Sequence, residues 1–242
     1  MTKNATIQSF LYATDRERIV SKVVLMGERA AQLLENSVSA LLDQDSALAR
    51  RIIAEDDAID QMEGEIDQEC LGSIAMRSPG KDELYFVFAV LKIITDLERI
   101  GDQAVNIAEK ALKVTPAVVF PRRDALLKML RVVLSMFRQA LQAFRNEDKH
   151  MAATLWKRDD EVDSMYAQCY ADFLHDAVAH SGNDDPQTME IGALELWTAR
   201  HLERAGDHVI NIVERVYFMV EGKYFPSKAA RKGSFKIKTS GE

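Results

Sequence analysis

The sequence is poor in the residues that end helices and staple small folds. Its 242 residues include 11 glycines, 5 prolines and 2 cysteines, while good helix formers such as Ala, Leu, Glu and Arg are abundant. Cys70 and Cys169 stand far apart, so we expect buried reduced thiols. The apolar run 85–94 is interrupted by Lys92 and is too short to cross a bilayer. No basic-then-apolar leader opens the sequence, so we expect no secretory signal and a cytoplasmic protein.

Charge is unevenly spread along the chain, whose formal net charge is −7. Residues 223–242 carry six basic residues and one acidic residue, which leaves 25 basic and 37 acidic residues elsewhere, a body of −12. A body this acidic argues against nucleic acid as a partner. We predict that residues 226–242 form a disordered, solvated tail; the alternative is that this basic tail docks on anionic lipid or on an acidic partner surface.

Apolar residues recur at helical spacing almost throughout, and no segment has the alternation of a strand. The pattern predicts an all-α protein with six long helices, at about 15–42, 46–77, 82–113, 122–145, 148–180 and 187–221. Short links between long helices make neighbours antiparallel. We therefore predict two three-helix bundles in tandem, over residues 1–115 and 121–225, separated at the proline-flanked connector 115–121.

One polar signature occurs twice. Residues 97–109 and 202–214 share the pattern Leu-Glu-Arg-x-Gly-Asp-x-x-x-Asn-Ile-x-Glu. Each copy is preceded by an acidic block, at residues 55–62 and 158–165. Since chance repetition favours leucines rather than a polar pattern, the signature indicates a duplicated unit that carries the same chemical device twice.

The signature and the acidic blocks form acidic rows on helices. Glu98 and Asp102 are four residues apart and share a helix face, and Asn106 and Glu109 fall within the same arc of roughly 80°. Gly101 on the core side would let a neighbouring helix approach closely. The same spacing recurs in the other rows, which are Glu203 with Asp207, Asp56 with Asp60, and Asp159 with Asp163.

Carboxylates gathered in this way repel one another, so a fold that brings them together usually contains a cation. Oxygen ligands select Mg²⁺, Ca²⁺, Mn²⁺ or iron and do not suit a structural Zn²⁺ site. The alternative is that the rows are solvated helix faces, with Arg99 and Arg204 as surface ion-pair partners. His201 and His208 are not proposed as ligands, because each lies about 140° or more around the helix from Glu203.

The double signature, the upstream Asp-Asp-x-Ile/Val-Asp and the early Met26-Gly27 resemble the PhoU family of phosphate-signalling regulators over about residues 7–222. The resemblance implies two similar three-helix bundles whose paired Glu/Asp-x-x-x-Asp motifs bind metal clusters. The candidate ions are iron and other divalent ions, with Fe, Mn, Mg and Zn left open. Carried over by position, the implied ligands are Asp56, Asp60, Glu98 and Asp102 in one half, and Asp159, Asp163, Glu203 and Asp207 in the other.

The resemblance also implies a function. PhoU proteins are non-enzymatic negative regulators of the phosphate regulon and of phosphate uptake, and they contact a membrane sensor histidine kinase and the ATPase of the phosphate ABC transporter. We expect a cytoplasmic homodimer or higher oligomer, with peripheral attachment to the inner membrane as an option. Two alternatives stay open. One is a metal-free helical scaffold. The other is a carboxylate-bridged di-iron oxidase, which the sequence disfavours because Gly101 and Gly206 stand where a Glu-x-x-His motif needs histidine.

Overall fold

A computed structural model describes residues 3–75, 79–114, 118–179 and 186–225, which form helices joined by turns without any strand. The all-α prediction is confirmed. The helices are α1 (Lys3–Leu42), α2 (Ser46–Glu55), α3 (Asp57–Ala75), α4 (Lys81–Ala111), α5 (Arg123–Asn146), α6 (Lys149–Trp156), α7 (Asp159–Ala179) and α8 (Pro186–Glu221).

The helices form two similar groups of the predicted three-helix kind. In the first group α1 packs on α4, and the α2–α3 pair covers both; in the second, α5 packs on α8, and the α6–α7 pair covers both. The groups meet where α4 packs along α8 and α1 packs against α5. One continuous apolar core, with Leu34, Ile94, Phe137 and Phe144 fully buried, runs through both groups. The predicted division into two domains stays a prediction.

Both groups use the same turn after their first helix. Gln44 (φ 57°) and Glu147 (φ 53°) adopt the left-handed conformation that ends α1 and α5. The next residue in each case, Asp45 or Asp148, donates its backbone N–H back to the preceding helix at 2.9 Å. Its carboxylate then accepts two backbone N–H groups of the following helix. This pairing of a left-handed helix end with an Asp cap explains why α2 and α6 begin where they do.

The second helix of each group differs from the sequence prediction in one respect. The helix expected from Ser46 onward is interrupted at Asp56, and its counterpart is interrupted at residues 157–158. The interruption at Asp56 is slight, since this residue keeps helical dihedral angles. Each acidic block consequently lies at a helix N-terminus, where negative charge interacts favourably with the helix dipole.

A buried ion pair fixes the start of α5 on the second group. The side chain of Glu195 is 1% exposed and accepts from both the backbone N–H and Nη1 of Arg122, at 2.6 and 2.9 Å. Arg122 also pairs with Asp176 on α7. Burial raises the pKa of Glu195, and the hydrogen bonds from Arg122 oppose that shift. The contact therefore joins three helices through one guanidinium group.

Both cysteines are buried and unpaired, as expected, and burial raises the pKa of Cys70 to about 12. Among the helices in the described ranges, none has the length and apolar character needed to cross a membrane. Several predicted features lie outside the described residues, namely Ser78 of the first helix stop, the 115–117 part of the connector, the turn at 181–185 and the disordered tail at 226–242.

Candidate functional site

The acidic block of the first half lies directly against the signature helix. Asp56 is half-buried where α3 meets α4, and a Cβ atom placed on Gly101 would come within 2.8 Å of Asp56 Oδ1. A glycine at this position leaves room for the carboxylate. The pKa of Asp56 is raised to about 6, first by burial and then by the negative charges of Asp60, Asp102 and Asp57. The structure thus brings the predicted residues of the two helices close together.

Glu98 completes this group of carboxylates. Its pKa is raised to about 7, chiefly by burial and then by the charge of Asp102, with further contributions from Glu63 and Asp60. Because the charges of Asp60 and Asp102 raise the pKa of both Asp56 and Glu98, all four predicted residues of the first half share one electrostatic environment. We call Asp56, Asp60, Glu98 and Asp102 the first acidic cluster.

Sequence reasoning missed Glu63. This residue lies three positions after Asp60, on the same face of α3, and accepts a hydrogen bond from Thr95 Oγ1 of α4 at 3.0 Å. Its charge also acts on Glu98. The spacing of three residues from Asp60 was the available signal, but the second half has Tyr166 at the corresponding position, so the duplication did not reveal it.

An arginine neutralises part of the first acidic cluster. Arg99 Nη1 donates to Asp102 Oδ2 at 2.9 Å, and its Nε lies 3.3 Å from Glu98 Oε2. The Arg99 side chain is itself 54% exposed. The ion pairing anticipated in the alternative interpretation is therefore present on the first row, at the solvent-facing edge of the cluster.

The second half repeats the arrangement with differences in detail. The pKa of Glu203 is raised by burial first and then by the charges of Asp207 and Asp163, so these three carboxylates share one environment. Arg200 Nη1 donates to Glu203 Oε1 at 2.7 Å, whereas the alternative interpretation named Arg204 as the ion-pair partner. The other oxygen, Glu203 Oε2, is buried and has no hydrogen-bond partner among the described residues. The side chain of Asp159, the fourth predicted residue, lies outside the described residues.

The glycine of the second signature has a different neighbour. A Cβ atom on Gly206 would lie 3.3 Å from Val162 Cγ1 and would not meet a carboxylate. We call Asp163, Glu203 and Asp207 the second acidic cluster.

The donor set of both clusters suits a hard cation, but the side chains are not arranged around one. Over the residues with described side chains, no three His, Cys, Asp or Glu residues converge in a geometry that could hold a metal ion. The pairing of Arg99 and Arg200 with the carboxylates gives a physical reason. A cation would have to displace these guanidinium groups, which lie on exposed helix faces, and it would then satisfy the unpartnered oxygen of Glu203. The residues fit the chemistry of oxygen-ligated ions.

Comparison with known proteins assigns the chain to a family. The model of the PhoU domain matches twice, over residues 23–111 and 126–216, and so covers both helix groups. The chain belongs to the PhoU family. Its resemblance to that family, noted from the double signature, is confirmed.

Individual relatives support the same assignment. A "Phosphate-specific transport system accessory protein PhoU homolog" of Pseudomonas aeruginosa is 32% identical over 87% of this chain and 86% of its own length. The corresponding protein of Caulobacter vibrioides is 30% identical over 90% of this chain and 93% of its own length.

Solved structures show the same fold. The crystal structure of PhoU from Pseudomonas aeruginosa superposes with a TM-score of 0.80 at 31% identity, covering 88% of this chain and all of the other. A structure from Streptococcus pneumoniae, named as a phosphate transport system regulatory protein PhoU, has a TM-score of 0.79 at 24% identity over 89% of this chain and supports the fold alone.

Other polar residues of the PhoU signature act on the helices themselves. Asn106, predicted to continue the acidic row, donates from Nδ2 to the backbone carbonyl of Asp102 at 2.7 Å. Glu214 accepts from Trp156 Nε1 at 3.1 Å and so fixes α6 on α8. These contacts give the repeated polar pattern a structural role beside the carboxylates.

The two histidines join the PhoU repeats to each other. His201 is buried, and its Nδ1 lies 2.7 Å from Gln103 Oε1, while His208 Nδ1 lies 2.9 Å from Asp96 Oδ1, which also accepts from Asn211 Nδ2 at 3.0 Å. Asp96 and Gln103 occupy the positions of His201 and His208 in the first copy. The duplicated helices α4 and α8 therefore meet through two polar pairs. In each pair, a residue at the first of these two positions in one copy contacts a residue at the second position in the other copy. The pKa of His201 is lowered to about 4, first by burial and then by nearby cations, of which Arg204 has the largest effect.

Proposed function

We propose that this protein is a cytoplasmic, non-enzymatic regulator that represses phosphate uptake and phosphate-responsive transcription. The observation that carries the proposal is the presence of two PhoU domain matches in a chain that aligns over most of its length with proteins named as accessories of the phosphate-specific transport system. A pair of helical bundles with a continuous core offers long exposed helix faces for protein partners, which is what an accessory protein needs.

We further propose that both acidic clusters bind metal ions. Asp56, Asp60, Glu98 and Asp102 would hold the cation of the first half. Asp159, Asp163, Glu203 and Asp207 would hold that of the second. Three features support this proposal: mutual repulsion and burial raise the pKa of Asp56 and Glu98, Gly101 leaves space for Asp56, and one oxygen of Glu203 is buried without a partner. When bound, the ion would supply the positive charge that offsets the gathered carboxylates; iron, Mn, Mg and Zn stay candidates.

The partners in this proposal are a membrane sensor histidine kinase and the ATPase of the phosphate ABC transporter, with the protein acting as a homodimer or larger oligomer at the inner membrane. Co-purification from membranes tests the partners directly. Affinity-tagged protein should retain the kinase and the ATPase, and the amounts retained should differ between cells grown with and without phosphate. Recovery of neither protein under either condition would contradict this part of the proposal.

Deletion of the gene tests the regulatory role. In phosphate excess, the deletion strain should transcribe phosphate-starvation genes that the parent keeps silent, and the wild-type gene supplied on a plasmid should restore silence. Complementation with Glu98→Gln and Glu203→Gln together would then show whether regulation needs the clusters. Transcription that stays silent in the deletion strain would refute the repressor role whatever the clusters bind.

A metal-free scaffold is the second candidate, and the ion pairs of Arg99 and Arg200 with the clusters favour it. Metal analysis separates the two. After chelation and reconstitution with Fe²⁺ or Mn²⁺ in separate samples, the regulator with metal clusters should retain ions through gel filtration, and the scaffold should retain none.

A further inference from the structure

Basic side chains form a row along the surface where α4 and α8 meet. On α4, Lys92, Arg99 and Lys110 lie within an arc of about 20° around the helix axis. On α8, Arg204 and Arg215 lie within about 20° of each other, and Arg200 lies about 40° from Arg204. We call this row the basic seam, and its members are Lys92, Arg99, Lys110, Arg200, Arg204 and Arg215.

Contacts between the two helices show that these basic faces adjoin. Lys110 Nζ lies 4.6 Å from the centre of the Trp197 ring of α8, and Trp197 lies within about 20° of Arg204 around that helix. The two polar pairs between α4 and α8 lie beside this contact. At 1.5 Å per residue, the seam runs for about 27 Å from Lys92 to Lys110. It is therefore a long, nearly straight row.

Most of the positive charge in the seam is not neutralised. Arg99 and Arg200 bond to carboxylates of the acidic clusters at the edges of the seam. Arg215 Nε is buried and has no hydrogen-bond partner within the described ranges. Four members of the seam form no ion pair with any residue that the structure describes, namely Lys92, Lys110, Arg204 and Arg215.

The acidic residues on the same stretches of α4 and α8 lie away from the seam or are already bonded. Residues 92–110 and 195–215 contain four acidic residues each. Four of the eight belong to the acidic clusters, and Glu109 lies within about 20° of Asp102, on the same side of α4. Glu195 and Glu214 are bonded to residues outside both helices. Asp96 is bonded to two side chains of α8.

The seam is narrow because the acidic clusters flank it on both sides. Asp102 lies about 80° around α4 from Lys110, on the side of α3, where Glu63 also lies. Glu203 lies about 100° around α8 from Arg204, on the side of α7. Since the axes of packed helices are about 8–10 Å apart, the positive strip is about as wide as a single helix.

We propose that the basic seam binds an acidic segment of a partner protein, which lies lengthwise between the two acidic clusters. Charge complementarity and the width of the strip support this occupant. A bilayer or duplex DNA is wider than the strip and would bring its phosphates against the clusters as well.

The aromatic residues beside the seam also favour a protein partner. The ring of Trp197 lies under Lys110, and Arg200 Cζ lies 5.5 Å from the centre of the Tyr166 ring. Arginine, tryptophan and tyrosine are the residues most enriched at the energetically important positions of protein interfaces. A chain of phosphate groups has no apolar side chains that these rings could contact.

This inference rests on the proposed accessory role, because it names the surface by which that role would reach a partner. Its test uses the purified full chain and a synthetic probe. The probe is a fluorescent peptide of about 20 residues that repeats Glu-Glu-Leu-Ala and matches the length of the seam as a helix. The control peptide repeats Gln-Gln-Leu-Ala. In fluorescence anisotropy with EDTA present, the acidic peptide should bind with an affinity that falls as salt rises, and the control peptide should not bind.

Matched variants locate the binding. Lys110→Gln with Arg204→Gln should weaken binding of the acidic peptide about tenfold, since each exposed ion pair contributes up to about fivefold. Lys128→Gln with Arg131→Gln removes the same residue types from exposed positions of α5 and should change binding less than about twofold. Lys92→Gln, at an exposed position of the seam, should weaken binding about two- to fivefold. Circular dichroism melting checks that each variant keeps its fold.

Four results would overturn the proposal. They are equal binding of the two peptides, equal loss in the two double variants, binding of inorganic polyphosphate or duplex DNA without binding of the acidic peptide, and a smaller oligomer of the seam variant in gel filtration with light scattering. The last result would assign the seam to contact between copies of this chain. None of them would affect the regulatory role, which the gene deletion tests separately.

Discussion

Replacement of Gly101 by alanine separates stability from metal binding, because the two should change in opposite directions. Alanine is about 1 kcal/mol better than glycine in a helix interior. The new Cβ would lie 2.8 Å from Asp56 Oδ1, so the carboxylate must move, which is cheap for the end of a short side chain. We therefore expect the metal-free protein to gain about 0.5 kcal/mol. The displaced Asp56 should lose its place in the first cluster and lower Mn²⁺ affinity about tenfold or more, equivalent to about 1.4 kcal/mol.

Urea unfolding measures the stability. Equilibrium dialysis measures Mn²⁺ binding in a background with Glu203→Gln, so that the binding measured is that of the first acidic cluster. Two controls isolate the steric effect. Gly64→Ala meets nothing within 4 Å and should give the full gain of about 1 kcal/mol with unchanged binding. Gly206→Ala meets only Val162 and should also leave the first cluster unaffected. Wild-type Mn²⁺ affinity in Gly101→Ala would refute the claim that Asp56 is a ligand held against α4.

Three further predictions concern neighbouring charges. Arg99→Gln removes a competing cation and should raise Mn²⁺ affinity about three- to tenfold in dialysis. Stability should change little, because this exposed pair contributes at most about 1 kcal/mol. Unchanged affinity would show that Arg99 does not compete with the metal ion. The pKa of His201 is about 4 in the folded protein and about 6.5 in the unfolded chain. Its contribution to the free energy of unfolding, about 3 kcal/mol, is therefore complete above pH 6.5 and is lost as pH falls towards 4. His201→Gln should flatten that part of the pH dependence of stability measured by urea unfolding, and an unaltered slope would contradict this. Arg122→Gln leaves the buried Glu195 without its charged partner, although the backbone N–H of residue 122 still donates to it, and should cost about 3 kcal/mol in urea unfolding. A second change, Glu195→Gln, should restore a large part of this loss, and additive losses would contradict the prediction.

The helices could be predicted because their apolar residues repeat with a strong period. The same period continues through the acidic blocks. It therefore predicted an unbroken helix, whereas in the structure the helix is interrupted at Asp56. A local electrostatic preference favours a new helix start here, since Asp57 and Asp60 lie in the first turn of α3, where negative charge is favourable. Apolar periodicity does not report this preference, which explains why the bounds were less accurate than the fold.

The acidic clusters were predictable in composition but not in their pairing. Spacing of four residues placed Glu98 beside Asp102, and the duplication linked both to Asp56. Spacing could not decide between Arg200 and Arg204 as the partner of Glu203, because that choice depends on which way each flexible side chain turns. Glu63 lies three residues after Asp60, but its place beside the first acidic cluster became evident only from the packing of α3 against α4.

The contact between the repeats was outside the reach of sequence reasoning. The helical angle separated His201 and His208 from the acidic row, but it could not identify their partners, which lie on the other repeat. Finding Gln103 and Asp96 needed the crossing of α4 and α8, which is a tertiary arrangement. The signal was present in the alignment of the two copies, whose equivalent positions hold residues that can pair with each other.

Anomalous X-ray diffraction from crystals grown with Mn²⁺ tests the central claim most directly, since it locates the ion without assumptions about affinity. We predict one or more anomalous peaks between α3 and α4 and between α7 and α8, within about 2.0–2.6 Å of carboxylate oxygens, with Arg99 and Arg200 turned away. Crystals in which both arginines still bind Glu98 and Glu203, with no anomalous peak beside either cluster, would contradict the account.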